Sequence, residues 1–154
     1  MRTATIEEMA PTAEGEWAGT TLEALHRKGM RNGGARRAVI DLLAAQDCCL
    51  TAQEIFDRLR ADGRRVGIAS VYRVLDLLTS EGLVQRIDLG SGVSRYEPVH
   101  SGGHHHHLVC DACGKVEAFE DRQLEHAIHR LEESSGYAVA GHDVVLHGAC
   151  SDCR

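Results

Sequence analysis

The stretch Val71-Tyr-Arg-Val-Leu-Asp-Leu-Leu-Thr-Ser-Glu-Gly82, followed by Leu83-Val-Gln-Arg-Ile-Asp-Leu89, Gly90-Ser-Gly92 and Val93-Ser-Arg-Tyr-Glu97, decides the fold. Val71, Val74, Leu75 and Leu78 recur at helical spacing, so they lie on one face of a helix that Glu81-Gly82 closes. The opposite face carries Tyr72, Arg73, Asp76 and Thr79. Two short strands, Leu83 to Leu89 and Val93 to Glu97, then fold back on each other through the glycine-rich turn.

Upstream, the same periodicity appears twice. Ala35, Ala38, Val39, Leu42 and Leu43 give one apolar face to a helix of roughly three turns. Thr51 with Glu54 three residues on is a capping-box signature, and Ile55, Phe56 and Leu59 form the buried stripe until Asp62-Gly63. Three short helices and a β-hairpin make a winged helix-turn-helix, whose third helix enters the DNA major groove. Tyr72 offers a ring to thymine methyls and a hydroxyl to phosphate, while Arg73 offers a fork to guanine or phosphate. An exposed Tyr-Arg pair on that helix has no packing reason to be there. Ser70, near the start of the same helix, and Arg31 join them as expected DNA contacts. Arg31 belongs to a basic arm with Arg27, Lys28, Arg36 and Arg37, suited to backbone or minor-groove contact.

The charge distribution agrees. Among the 154 residues the net charge is -6, which by itself argues against a nucleic-acid partner. From His26 to Arg73, however, ten Lys and Arg stand against five Asp and Glu, and the remainder carries seven against eighteen. A basic half meets an anion and an acidic half does something else. Nine of the ten histidines lie from His100 onward.

That acidic half reads as metal chemistry. Two Cys-x-x-Cys pairs, Cys110 with Cys113 and Cys150 with Cys153, can close a tetrahedral sulfur cage around structural zinc. Disulfides are the rival reading. The opening MRTATIEEMAPTAEGEW contains no apolar core for a signal peptide, and no run is long enough to span a membrane. A cytoplasmic, reducing compartment is therefore expected, where such pairs are metal ligands or redox thiols more often than staples. The run His104 to His107 lies in mid-chain between ordered-looking segments, so it reads as native sequence rather than a tag. Residues 1–20 read as a disordered extension and 21–98 as the DNA-binding domain. A hinge is expected over 99–103, and 104–154 form a small α/β dimerisation domain with the four-cysteine zinc site. Within it, strands flank the first knuckle, a helix carries Leu124, Ala127, Ile128 and Leu131, and Tyr137 to His147 supply one or two further strands. The fold class is thus α+β. So small a second domain is naturally supported by zinc and by dimerisation.

The segments Gly67-Ile-Ala-Ser-Val-Tyr-Arg-Val-Leu, His-His-His-His-Leu-Val-Cys-Asp-Ala-Cys-Gly-Lys-Val and His-Gly-Ala-Cys-Ser-Asp-Cys together resemble the ferric uptake regulator family of bacterial metal-sensing repressors. The resemblance covers about Leu22 to Arg154. It implies a homodimer that binds double-stranded DNA operators of metal-uptake or stress genes in response to metal. It makes Cys110, Cys113, Cys150 and Cys153 the structural zinc ligands. It also divides the histidine run between two further sites, because alternate side chains of a strand face opposite ways. His104 and His106 go with Glu125 and His142 in the dimerisation domain. His105 and His107 face the hinge, with Glu97 and a ligand from just before the second helix. There the family usually has histidine and this chain has Cys48-Cys49, so Cys49 is the expected ligand. A thiolate favours zinc over ferrous iron. Ala118 stands where the family often has a glutamate, with Glu117 one position early, His100 is a possible substitute ligand, and Gly33 replaces a usual threonine before the first helix.

An enzyme is the reading from another class. A zinc deaminase needs His-x-Glu, which is absent, and two complete pairs leave zinc no open position. No His-Glu-x-x-His occurs either. A thiol-disulfide enzyme wants one reactive pair in a βαβ setting, whereas these pairs lie about forty residues apart. Within the regulators, a peroxide or thiol redox sensor using Cys49 or a histidine ligand is the alternative.

Overall fold

The computed structural model describes residues 13–99 and 105–154. His100 and His104, and the expected hinge apart from Val99, lie outside the described residues. Four helices precede the wing: α1 (Ala13–Arg27), α2 (Gly34–Ala44), α3 (Ala52–Ala61) and α4 (Ile68–Ser80). The strands β1 (Leu50–Thr51), β2 (Val84–Asp88) and β3 (Ser94–Pro98) form one antiparallel sheet in the order β1-β3-β2. Val39, Ile40 and Leu43 of α2, Ile55 of α3, and Leu75 and Leu78 of α4 are sealed from solvent, with Val84 and Tyr96 of the sheet closing the core. Burying such a side chain contributes about 1.5–3 kcal/mol, so this stripe-to-stripe packing is what holds the small helices in place.

Two local features explain the helix starts. Thr51 Oγ1 accepts from Glu54 N at 3.0 Å and Glu54 Oε2 accepts from Thr51 N at 2.7 Å, the reciprocal box read from sequence. Gly33 caps α2 without a side-chain bond, so that helix starts where expected on backbone geometry alone.

The structure departs from the sequence reading at the N-terminus. Residues 13–20, read as part of a disordered extension, are helical, and Trp17 and Leu25 of α1 join the core. Among the described residues the winged helix therefore has four helices rather than three. Strand β1 is likewise absent from the sequence reading: it is only two residues long and exists through pairing of Leu50 with Tyr96 and Thr51 with Arg95.

The second sheet contains β4 (His106–Cys110), β5 (Val116–Phe119) and β6 (Val145–Gly148) in the order β5-β4-β6, with β4 antiparallel to β5 and parallel to β6. Tyr137 to His147 thus supplies one strand among the described residues. Helix α5 (Arg122–Ser135) is capped by Asp121, whose carboxylate accepts from Gln123 N and Leu124 N, and it ends at Gly136 with φ of 72°. That left-handed stop suits glycine. None of its side chains is buried within the single chain, and Leu131 is 66% exposed.

Candidate metal centres

The parallel pairing of β4 with β6 sets Cys110 beside Gly148, which brings the two Cys-x-x-Cys turns together at one end of the sheet. Cys113 Sγ and Cys150 Sγ lie 3.8 Å apart, and the four sulfurs all lie within 4.8 Å of one another. Two sulfurs held about 2.3 Å from one tetrahedral ion sit roughly 3.8 Å apart, so the donor set and spacing fit structural zinc. Gly114, at φ of 75°, closes the first knuckle in a conformation that disfavours a side chain. The amide of Cys150 donates to Cys110 Sγ at 3.3 Å. That bond, followed by backbone donation from the knuckle, lowers the Cys110 thiol to about 6, so a thiolate is favoured before any ion arrives.

The hinge cluster draws on both halves. Glu97, on β3 and only 3% exposed, accepts through Oε2 from His105 Nε2 at 2.9 Å and faces His107 Nε2 at 3.4 Å. Its other oxygen accepts from Gln85, the residue opposite it across the wing. Burial pushes the Glu97 carboxyl up, but the bonds from His107 and Gln85 outweigh it and the net direction is down. Cys48 and Cys49 close the other side, with sulfurs 3.9 Å apart and both within 4.8 Å of the same His107 ligand atom. Donation from Cys49, opposed by burial and reinforced by His107, lowers the Cys48 thiol to about 5, while Cys49 is pushed up. Contact with Cys48, then with Glu97, raises His107 to about 9. The sequence reading assigns Cys49 alone to this cluster. Cys48 is equally placed, and the adjacent pair is the available signal.

A third cluster joins β4 to α5 and to the segment before β6. His106, 1% exposed, meets Glu125 Oε1 through Nε2 at 2.7 Å, and His142 Nε2 reaches Glu125 Oε2 at 3.2 Å. These are the expected partners, while His104 falls outside the described residues. The pleat therefore does divide the run as alternation predicts, with His105 and His107 facing Glu97 and His106 facing Glu125. Glu117 is not among these clusters and pairs with Lys115 at 2.7 Å.

On α4, Tyr72 is 48% exposed and Arg73 is also open to solvent, its guanidinium donating to Ser70 Oγ at 3.2 Å. Arg31 is exposed just before α2, and its carbonyl accepts from Arg36. Among the described residues no helix is long and apolar enough to cross a membrane.

A winged helix joined to a sheet that carries clustered metal ligands defines a metal-responsive, DNA-binding transcriptional regulator. Residues 27–147 match the model of the ferric uptake regulator family. The ferric uptake regulation protein of Neisseria meningitidis serogroup B is 32% identical over 131 residues, which cover 84% of this chain and 90% of the relative. The zinc uptake regulation protein of Mycobacterium tuberculosis strain H37Rv is 36% identical over 126 residues, covering 82% and 96%. The Helicobacter pylori ferric uptake regulator, whose structure reveals three functional metal binding sites, superposes with a TM-score of 0.78 at 25% identity, covering 93% of this chain and 94% of that one. The chain belongs to the ferric uptake regulator family. Members are dimeric DNA-binding regulators, not enzymes.

Proposed function

We propose that Cys49, Glu97, His105 and His107 form the regulatory site of a cytoplasmic homodimeric repressor that controls metal-uptake or homeostasis genes. The observation that carries this reading is the origin of the ligands. Cys49 and Glu97 belong to the winged helix and His107 to β4, with His105 just before that strand; His105 and His107 meet Glu97, and Cys49 joins them through His107. An ion held by both halves favours the arrangement in which they are closed on each other, and it shifts that population by its differential affinity. In that arrangement the two α4 helices of a dimer present Tyr72, Arg73 and Ser70, with Arg31 alongside, to successive major grooves of an operator. Zinc or ferrous iron is the regulatory ion; the thiolate and the likeness to a zinc uptake regulator support zinc.

The DNA-binding unit expected over 21–98, extended back to residue 13 by α1, acts together with a hinge at 99–103 and a dimerisation unit at 104–154, with the exposed apolar side chains of α5 facing the second copy. Structural zinc sits on Cys110, Cys113, Cys150 and Cys153. His104, His106, Glu125 and His142 form a site wholly within the second unit, which supports the fold more than it sets the hinge. The test selects duplexes from a randomised pool with zinc-loaded protein and measures their binding with and without zinc or ferrous iron. Tyr72→Ala and Arg73→Ala should abolish that binding at physiological salt with zinc content unchanged. Undiminished binding by both variants, or binding indifferent to metal, overturns the reading.

A further inference from the structure

The hinge contains two donor triads, not one, and they share His107. One is Glu97, His105 and His107; the other is Cys48, Cys49 and His107. The first offers a carboxylate and two imidazoles, a set suited to zinc or ferrous iron. The second offers two sulfurs and one imidazole. Its sulfurs are 3.9 Å apart, close to the roughly 3.8 Å expected for two thiolates on one tetrahedral ion. Cys49 is 2% and His107 5% exposed, so an ion there would be largely shielded from water. The peptide that carries the two cysteines is held from both sides: Leu50 pairs with Tyr96 in the sheet, and Arg95 donates to the Cys49 carbonyl at 3.4 Å. A groove of about 310 Å³ is lined by Cys48 and Cys49 together with Gly114, Lys115 and Val116.

We propose that Cys48 is a metal ligand, and that Cys48, Cys49 and His107 form a thiophilic site that captures soft d10 ions of the cadmium or cuprous class. Softness decides which triad completes the shell. Thiolates bind such ions in preference to carboxylate oxygen, whereas a harder ion leans on Glu97 and His105. Because His107 serves both triads, a soft ion takes up a donor of the regulatory cluster, and the regulator becomes answerable to ions other than the one it controls. The inference rests on the regulatory reading of the hinge given above.

The test titrates cadmium alone into zinc-loaded full-length protein and follows sulfur-to-cadmium charge-transfer absorbance, with zinc release measured in parallel. Any contribution from the four-cysteine cage is common to all variants and cancels in the differences between them. Cys48→Ser and Cys48→Ala should each remove one thiolate's share of the hinge absorbance and weaken cadmium binding by about tenfold or more, as expected when a ligand contributing more than about 1.4 kcal/mol is lost. Cys49→Ser should do the same. His105→Ala should weaken zinc at the hinge and leave cadmium nearly unchanged. Wild-type absorbance and affinity in both Cys48 variants, with zinc binding still lost on changing His105 or His107, overturns this inference and leaves the regulatory reading standing. If His107→Ala and Cys49→Ser alter neither zinc nor cadmium binding, the hinge is not a metal site and both readings fall together.

Discussion

Replacing His107 with alanine isolates the hinge, because this ring is the one group common to both donor triads. The side chain is 5% exposed and faces the Glu97 carboxylate at 3.4 Å. A hydrogen bond to a buried charged group is worth about 1.5–3 kcal/mol, and a lost metal ligand in such a setting falls in the same range. That corresponds to roughly a ten- to hundredfold rise in the metal concentration needed for half-maximal DNA binding. The assay is fluorescence anisotropy of a selected duplex against buffered zinc and, separately, ferrous iron. Glu97 would keep His105 and Gln85 as partners, so the variant should fold and retain its cage zinc, which metal analysis checks. Cys49→Ala should shift the curve in the same direction. His142→Ala, whose partner Glu125 belongs to the second sheet domain, should shift it less. If His142→Ala proves the more damaging change and Cys49→Ala is silent, the sensor is not at the hinge and Cys49 is only a buried thiol.

Cys113→Ser should release about one zinc per chain and weaken the dimer, because metal binding here is folding free energy; a variant that stays dimeric with full zinc content refutes the cage. Thr51→Ala removes the capping box of α3 and should lower thermal stability by about 1 kcal/mol without changing metal content, as calorimetry would show. The metal-free protein should respond to pH in two opposed ways. With His107 raised from 6.5 to about 9, its contribution to stability is complete below pH 6.5 and is lost as pH climbs through about 9. Over the same window the proton competing with the metal is shed, so zinc affinity at the hinge should rise while the stability of the metal-free fold declines. Thermal melts and chelator competition at several pH values would check both.

The parts of the fold that local chemistry dictates are readable in the chain. The Thr51–Glu54 box, the α4 stripe and the glycine turn of the wing each follow from a few neighbouring residues. Helix α1 is not readable in its first half, since residues 13–20 are mostly small or polar and Trp17 is an isolated aromatic that tertiary packing, not a local period, brings into the core. Strand β1 is invisible for a similar reason, two residues being too few for any period and their strand identity coming from Tyr96 and Arg95. At the sites, alternation alone separates His106 from His105 and His107. Pairing those faces with Glu97, Glu125 and His142 needs family likeness, because no local rule spans the 34 residues between His107 and His142. Cys48 escapes because alternation constrains strands and the residue sits in the bend before β1.

Strand β4 has the most to say about assembly. Within five residues it gives one face to the hinge cluster, the other to the second-sheet cluster and its last residue to the cysteine cage. At about 3.3 Å per residue this is a rod of roughly 16 Å whose registration is held at one end by Cys110. A one-residue slip would exchange the two faces and hand each histidine to the wrong carboxylate. On the assignments proposed above, occupancies along such a rod are coupled: zinc in the cage would select the register on which the other clusters depend, and by linkage they would in turn strengthen its hold. A molecule short of structural zinc is then expected to hold the sensed metal more weakly at the hinge, and an empty hinge to loosen the cage.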